Sequence, residues 1–311
     1  MFRNNRPVTV SSAVLSLAFG LAAAPVHAQW VEARGNGWIS FSTSYRSSSE
    51  KFGPAGDVGD IVRLDDMMAM MMGEDMPNPR TGSVRTLSSY LTVALGVAPG
   101  LELWIQPSYH RLRYEDRSGT INDSGIGDTR MYVRASPAGL FGGNVPFTIR
   151  AGLKVPASSL DIGVNDIQVS DAQRDWEIAA EFGHSFWPKS LYFTALAGYR
   201  WREAGELGPA MWQAAGGTDF GNETFFNLAL GGGADRPVGF KAQLEGWYGA
   251  TPRFGTMMPE EQARELVRFI PSLLVTAGPG QIELGGRLPL AGKNLITGPE
   301  WVVGYFTPFS M

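Results

Sequence analysis

Cysteine is absent from all 311 residues, and histidine occurs only three times. The first absence excludes a disulfide framework and a lipidated N-terminal cysteine. Together they leave no donor set for a zinc site built from His and Cys, and no cofactor or metal is expected. Asn122, Asp123 and Asp128 lack the spacing and the terminal Glu of a calcium loop. No cluster of Lys and Arg stands out, so nucleic acid is not an expected partner. Past the N-terminal region there is no apolar run of the roughly 20 residues that a helix needs to cross a bilayer.

The N-terminus carries a different signal. Arg3 and Arg6 precede an apolar run from Ala13 to Ala24, Pro25 breaks it, and Val26-His27-Ala28 offers small residues for cleavage. This is the pattern of a secretory signal peptide, residues 1–28, removed near Ala28 to leave Gln29 first. Its loss takes the formal net charge from −4 to −6. The expected location is the outer membrane of a Gram-negative bacterium.

What the sequence has in plenty is glycine (39 residues) and, through the mature chain, 29–311, strict alternation. From Ser124 to Pro156, Thr129, Met131, Val133 and Ala135 share one face against Asp128, Arg130, Tyr132 and Arg134. Phe147, Ile149, Ala151, Leu153 and Val155 then oppose Thr148, Arg150, Gly152 and Lys154. A period of two means β-strands with one apolar and one charged face. The pattern recurs about twelve times, an even number. Short Pro- or Gly-centred turns alternate with longer connections, the longest being a first external loop at about 48–84. The fold class expected is all-β, a transmembrane antiparallel up-and-down β-barrel of about twelve strands, with both termini in the periplasm.

A soluble sandwich shares the period of two, so the faces must decide. Aromatics such as Tyr45, Trp176, Phe186, Tyr199, Trp201, Tyr248, Trp301 and Tyr305 sit on the apolar face near strand ends, as interfacial girdles do. The other face then lines a lumen. Arg130, Arg134, Arg150 and Lys154 would form a basic wall under the external mouth. Glu177, Glu181, Glu245 and Glu283 would lie near Arg200, Lys241, Arg268 and Arg287. These twelve residues are the expected lumen or solute path, and a purely structural role, charges paired to fill the barrel, is equally open. Met67, Met68, Met70, Met71 and Met72 in the first loop are a possible gate gripping apolar solutes.

Ser124-Gly-Ile-Gly-Asp128, Gly152-Leu-Lys-Val-Pro156, Asp175-Trp-Glu-Ile178 and Gly198-Tyr-Arg200 resemble an outer-membrane family assigned as transporters of the phenol-degradation meta-cleavage pathway. The chain departs from it at Ala157-Ser158, where the family has Thr-Gly, and at its end, Phe309-Ser310-Met311, where an aromatic residue is usual. The resemblance implies passage of small hydrophobic or aromatic compounds. Outer-membrane lipid and the barrel-assembly machinery, read through Tyr305 and Phe309, are the other expected partners. Two further readings stay open: an enzyme acting on lipid, and a structural or adhesive barrel. For the enzyme, His184 beside Ser185 is poorly placed, because neighbours on a strand face opposite ways.

Overall fold

The computed structural model describes residues 31–61, 82–116, 119–142, 146–157, 173–186, 188–205, 216–233, 236–258 and 262–311. The expected signal peptide and the methionine cluster lie outside these residues.

The strands are β1 (Asn36–Ser48), β2 (Glu50–Phe52), β3 (Val58–Asp60), β4 (Ser83–Ala98), β5 (Leu101–Gln106), β6 (Ser108–Asp116), β7 (Gly119–Ile126), β8 (Thr129–Ala135) and β9 (Phe147–Val155). After them come β10 (Asp175–Ser185), β11 (Leu191–Arg202), β12 (Thr218–Asp219), β13 (Glu223–Gly232), β14 (Val238–Gly249), β15 (Arg253–Phe254), β16 (Glu265–Ala277), β17 (Gly280–Lys293) and β18 (Glu300–Ser310). Each long strand pairs antiparallel with its neighbours, and β1 pairs with both β4 and β18. That double pairing closes the sheet, so no long edge is left to a medium that cannot hydrogen-bond it. The result is a closed antiparallel barrel of twelve staves, in which β5 with β6 and β7 with β8 each make up one stave.

The alternation settles which face points out. Phe41 is 53% exposed, Trp176 48% and Trp301 62%, while Glu102 on the other face is 1% exposed. An apolar exterior of this extent is untenable in water and is what a lipid-facing belt requires. Among the expected girdle residues, Tyr305 is only half-buried, and its hydroxyl donates to the Ala277 carbonyl at 3.3 Å.

Three local findings differ from the sequence reading. The polar stretch at 115–125, read as a loop, is largely strand: β6 and β7 pair from Tyr109↔Ile126 to Asp116↔Gly119. Gly125-Ile-Gly127-Asp128 therefore interrupts a stave rather than ending one. Two residues separate Gln106 from Tyr109 while three separate Ile126 from Arg130, so the facing strand carries a one-residue bulge. Pro107, which has no N–H to give, sits opposite it. The connection after β8 holds a short helix, α1 (Pro137–Phe141), capped by Ser136. Its Gly139 packs directly on Gly100, whose φ of 72° makes the β4–β5 turn; a Cβ at either glycine would meet backbone of the other's turn under 3.0 Å away.

At the opposite end the small β2–β3 hairpin folds down onto β17. Phe52 is buried there, its N–H donating to the Leu295 carbonyl at 2.8 Å. Gly292 has no Cβ because Phe52 takes the space: one would stand 2.6 Å from the ring.

Candidate functional site: the barrel lumen

The lumen has two unlike halves. On the side built by β5, β8, β9, β10, β11 and β13, ionised side chains alternate in sign along one continuous chain. Arg134 bridges Glu102 at 2.7 Å and Glu181 at 2.5 Å. Arg150 bridges Glu181 at 3.4 Å and Glu177 at 2.9 Å. Arg200 bridges Glu177 at 3.0 Å and Glu223 at 2.5 Å. Arg202 links Glu223 at 2.8 Å to Asp175 at 3.2 Å, and Lys154 links Asp175 at 2.9 Å to Asp128 at 3.2 Å. Every cation stands between two carboxylates. Ions buried this deeply persist only when paired in this way.

The glycines of the recognised motifs make room for that ladder. A Cβ at Gly152 would lie 2.6 Å from Glu177 Cγ and 2.7 Å from the Tyr132 ring. One at Gly198 would lie 2.5 Å from the Phe225 ring, over which the Arg200 guanidinium stands at 5.1 Å. Gly127 leaves space for His110, whose ring would be 2.2 Å from a Cβ there. Lysine, carboxylates and glycines of the four motifs thus converge on one packed wall.

The expected basic wall is accordingly corrected. Arg134, Arg150 and Lys154 are neutralised by the carboxylates above, and of the four only Arg130 forms no ion pair with a described residue. The sequence reading named Glu177 and Glu181 but missed Glu102, Asp175, Arg202 and Glu223, the remaining links. Asp175, Arg202 and Glu223 stand at strand ends, where alternation is hardest to phase.

The other half, formed by β1, β4, β6, β14, β16, β17 and β18, is more open, and Gln106 of β5 and Arg130 of β8 also face it. An outer cavity of about 660 Å³ is lined by Ser42, Arg46, Tyr90, Arg130, Glu245, Arg287 and others, and an inner one of about 170 Å³ by Ser40, Lys241, Glu283 and Phe306 among others. Ser42, Glu245 and Arg287 line both, so the two cavities adjoin there. Close ion pairs stud this path too: Glu245 with Arg268, Arg287 with Glu300 at 2.6 Å, and Lys241 with Glu283 at 2.7 Å. Arg46 and Glu300 were not singled out from sequence; Arg46 lies near the end of β1, where Trp38, Ser40, Ser42 and Ser44 share its face.

Below the ladder the lumen turns aromatic. Trp38 meets Trp104 edge-on with centroids 4.9 Å apart and Phe306 at 5.5 Å, and Trp104 meets Tyr132 at 6.1 Å. The segment before β1 folds inward at the same end. Val31 is buried, the Glu32 N–H donates to the Glu102 carboxylate at 2.8 Å, and the Gly35 N–H to the Gly96 carbonyl at 2.9 Å. Gly96 permits this, since a Cβ would sit 2.3 Å from the Ala33 carbonyl oxygen. Burial, and then the neighbouring Glu102, push the Glu32 carboxyl above its ordinary range, with Arg134 opposing.

The two described histidines, His110 and His184, stand on different strands, β6 and β10. His184 stacks edge-on against Phe186 at 4.7 Å. His110 is held between the Ser88 hydroxyl at 2.8 Å and the Ser108 hydroxyl at 3.0 Å. Those are nucleophile–base distances, yet both ring nitrogens face hydroxyls, and among the described residues no carboxylate hydrogen-bonds the ring as the triad logic requires. Among the described residues no group of three His, Asp or Glu could hold a metal.

No protein-family model matches the sequence, and no curated protein matches it either. Solved structures do. The barrel is similar to an outer membrane channel from Pseudomonas putida F1, with a TM-score of 0.65 and 11% identity over 90% of this chain and 97% of that one. The β-domain of the Bordetella autotransporter BrkA follows at 0.48, with 12% identity over 88% and 100%. The translocator domain of the autotransporter NalP from Neisseria meningitidis stands at 0.46, with 10% identity over 89% and 90%. The first likeness is one of fold; the other two are too distant to carry an argument.

Proposed function

We propose that this protein is an outer-membrane channel that admits small organic solutes, aromatic compounds foremost, along one side of its lumen. The observation that carries this reading is the pair of adjoining cavities beside β1, β14 and β18, opposite a wall laced with ion pairs. The ion-paired side keeps a smaller space, about 200 Å³ beside Arg134, Arg150 and Glu181, against about 660 Å³ in the outer cavity, and a barrel built only as a scaffold has no need of so uneven an interior. The likeness to a solved channel and the motif resemblance support the same reading, and the resemblance supplies the solute class. The lumen residues expected from sequence divide in this scheme: Lys241, Glu245, Arg268, Glu283 and Arg287 flank the passage, with Arg130 at its mouth. Arg134, Arg150, Lys154, Glu177, Glu181 and Arg200 hold the wall.

Purified protein in planar bilayers and in swelling vesicles tests the reading. Discrete conductance steps and entry of phenol-sized solutes above empty-vesicle rates are expected. Absence of both, or release of fatty acid from bilayer lipid that disappears in His110→Ala, overturns it.

A further inference from the structure

Among the described residues the outer cavity is lined by five arginines (Arg46, Arg130, Arg264, Arg268, Arg287) and three carboxylates (Asp128, Glu245, Glu300). All three carboxylates are committed. Glu300 takes Arg287 at 2.6 Å and Arg268 at 3.8 Å, Glu245 takes Arg268, and Asp128 takes Lys154 at 3.2 Å. Among the described residues, and leaving Arg264 aside, positive charge is therefore in surplus on this side of the lumen.

Two guanidinium groups carry that surplus. Arg130 is exposed to the cavity and forms no ion pair with a described residue. Arg46 reaches only as far as the Ile296 carbonyl, at 3.4 Å, and its Nε is buried with no hydrogen-bond partner. A guanidinium has five donors in a fixed plane and cannot shed its proton, so a poorly partnered one in a confined site is costly, and an anion accepting from its open N–H groups lowers that cost.

The backbone is shaped around the same cavity. The one-residue bulge at 127–129 directly precedes Arg130, and a second bulge between Val267 and Arg268 interrupts the β16–β17 ladder. Bulges re-aim single side chains, and these two adjoin arginines that face one space. Tyr90, Gln106, His110 and Ser88 add neutral polar groups to the lining, and Phe220 adds a ring. Gln106 is the cross-strand partner of Arg130, and its amide is already fixed on Thr92 at 2.8 Å. The volume, about 660 Å³, falls within the roughly 300–1,000 Å³ of small-molecule sites.

We propose that the outer cavity is a binding site for a small organic carboxylate, its carboxylate on Arg130 with Arg46 as second counter-ion and its apolar body against Tyr90 and Phe220. Planar guanidinium forks match a carboxylate in two parallel hydrogen bonds, which a chloride ion cannot reproduce. The site deepens the channel reading, on which it rests for its purpose: it names the class of solute held on the way in.

Titration calorimetry on the detergent-solubilised protein at fixed ionic strength tests the proposal, with sodium benzoate and its neutral counterpart benzyl alcohol as probes. Benzoate is expected to bind at least about tenfold more tightly than benzyl alcohol, and Arg130→Gln to weaken benzoate by about tenfold or more. Arg130→Lys, which keeps the charge and loses the fork, should fall between. Arg46→Gln provides the same test should Arg130→Gln fail to fold, judged by gel mobility before heating. Equal affinity for the two probes, or benzoate affinity untouched by both glutamine variants, overturns the proposal. So does displacement of benzoate by chloride or phosphate at equal concentration, which would make the site one for inorganic anions. Bilayer conductance of the same preparations keeps the two readings apart. Conduction without benzoate preference sinks the site alone, whereas benzoate binding without conduction sinks the channel alone.

Discussion

Glu177 is the middle link of the ion-pair ladder, and neutralising it is the sharpest perturbation the lumen offers. Its two carboxylate oxygens accept from Arg150 at 2.9 Å and from Arg200 at 3.0 Å, and its side chain is 5% exposed. Glu177→Gln removes one charge from a wall that is otherwise paired throughout. Breaking a buried pair from one side costs about 3–5 kcal/mol, because the partner is left buried and uncompensated. Here each arginine keeps a second carboxylate, Glu181 at 3.4 Å for Arg150 and Glu223 at 2.5 Å for Arg200, which places the expectation at the lower end, about 3 kcal/mol. Denaturant unfolding in lipid vesicles, followed by tryptophan fluorescence, reads the loss directly. The double variant Glu177→Gln/Arg200→Gln restores the balance of charge and should recover part of it, with a coupling energy above about 0.5 kcal/mol. A single-variant loss below about 1 kcal/mol, with no recovery in the double, would refute the claim that paired charges hold this wall.

Three other outcomes follow from the same geometry. Gly96→Ala places a Cβ 2.3 Å from the Ala33 carbonyl oxygen, so the inward-folded segment must leave its place, and bilayer conductance should rise. Removing the pair that flanks the junction of the two cavities, Glu245→Ala with Arg268→Ala, should also raise conductance, whereas Arg134→Gln with Glu181→Gln should leave it near the unmodified value. The Glu32 carboxyl, raised by burial and by Glu102, favours the docked segment when protonated. Docking is then strongest in acid below the ordinary carboxylate value and weakens as pH climbs through the raised one, so conductance should increase with pH over that window and lose this dependence in Glu32→Gln.

The barrel itself was legible because one rule, a period of two with an apolar side, governs every stave. The alternation around Arg150 or Glu177 admits one assignment of faces, and the structure has it. What the pattern could not give was pairing across strands. Arg134 finds Glu102 and Glu181, 32 and 47 residues away, and nothing local to Arg134 announces either partner. For that reason a run of basic residues read as a positive wall is in fact a neutral one. The surplus lies with Arg46 and Arg130, which look no different in sequence from their paired neighbours. Strand breaks were equally hidden: the extra residue at 127–129 preserves the apolar pattern on both sides and shifts only the register between them.

The seam between β1 and β18 has a consequence for how the protein is made. Its register runs from Asn36↔Ser310 to Arg46↔Glu300, and one of its contacts, Ser310 with Asn36, spans 274 positions of the chain. Contacts so distant reward the chain last, after the full loop-closure entropy has been spent. Until β18 arrives, β1 and β17 both present unpaired edges, and partly assembled chains of this kind are prone to join one another instead. The slow step of folding should accordingly be closure rather than strand formation. Substitutions along β18 should delay the appearance of the compact, heat-modifiable form far more than equal substitutions in β10.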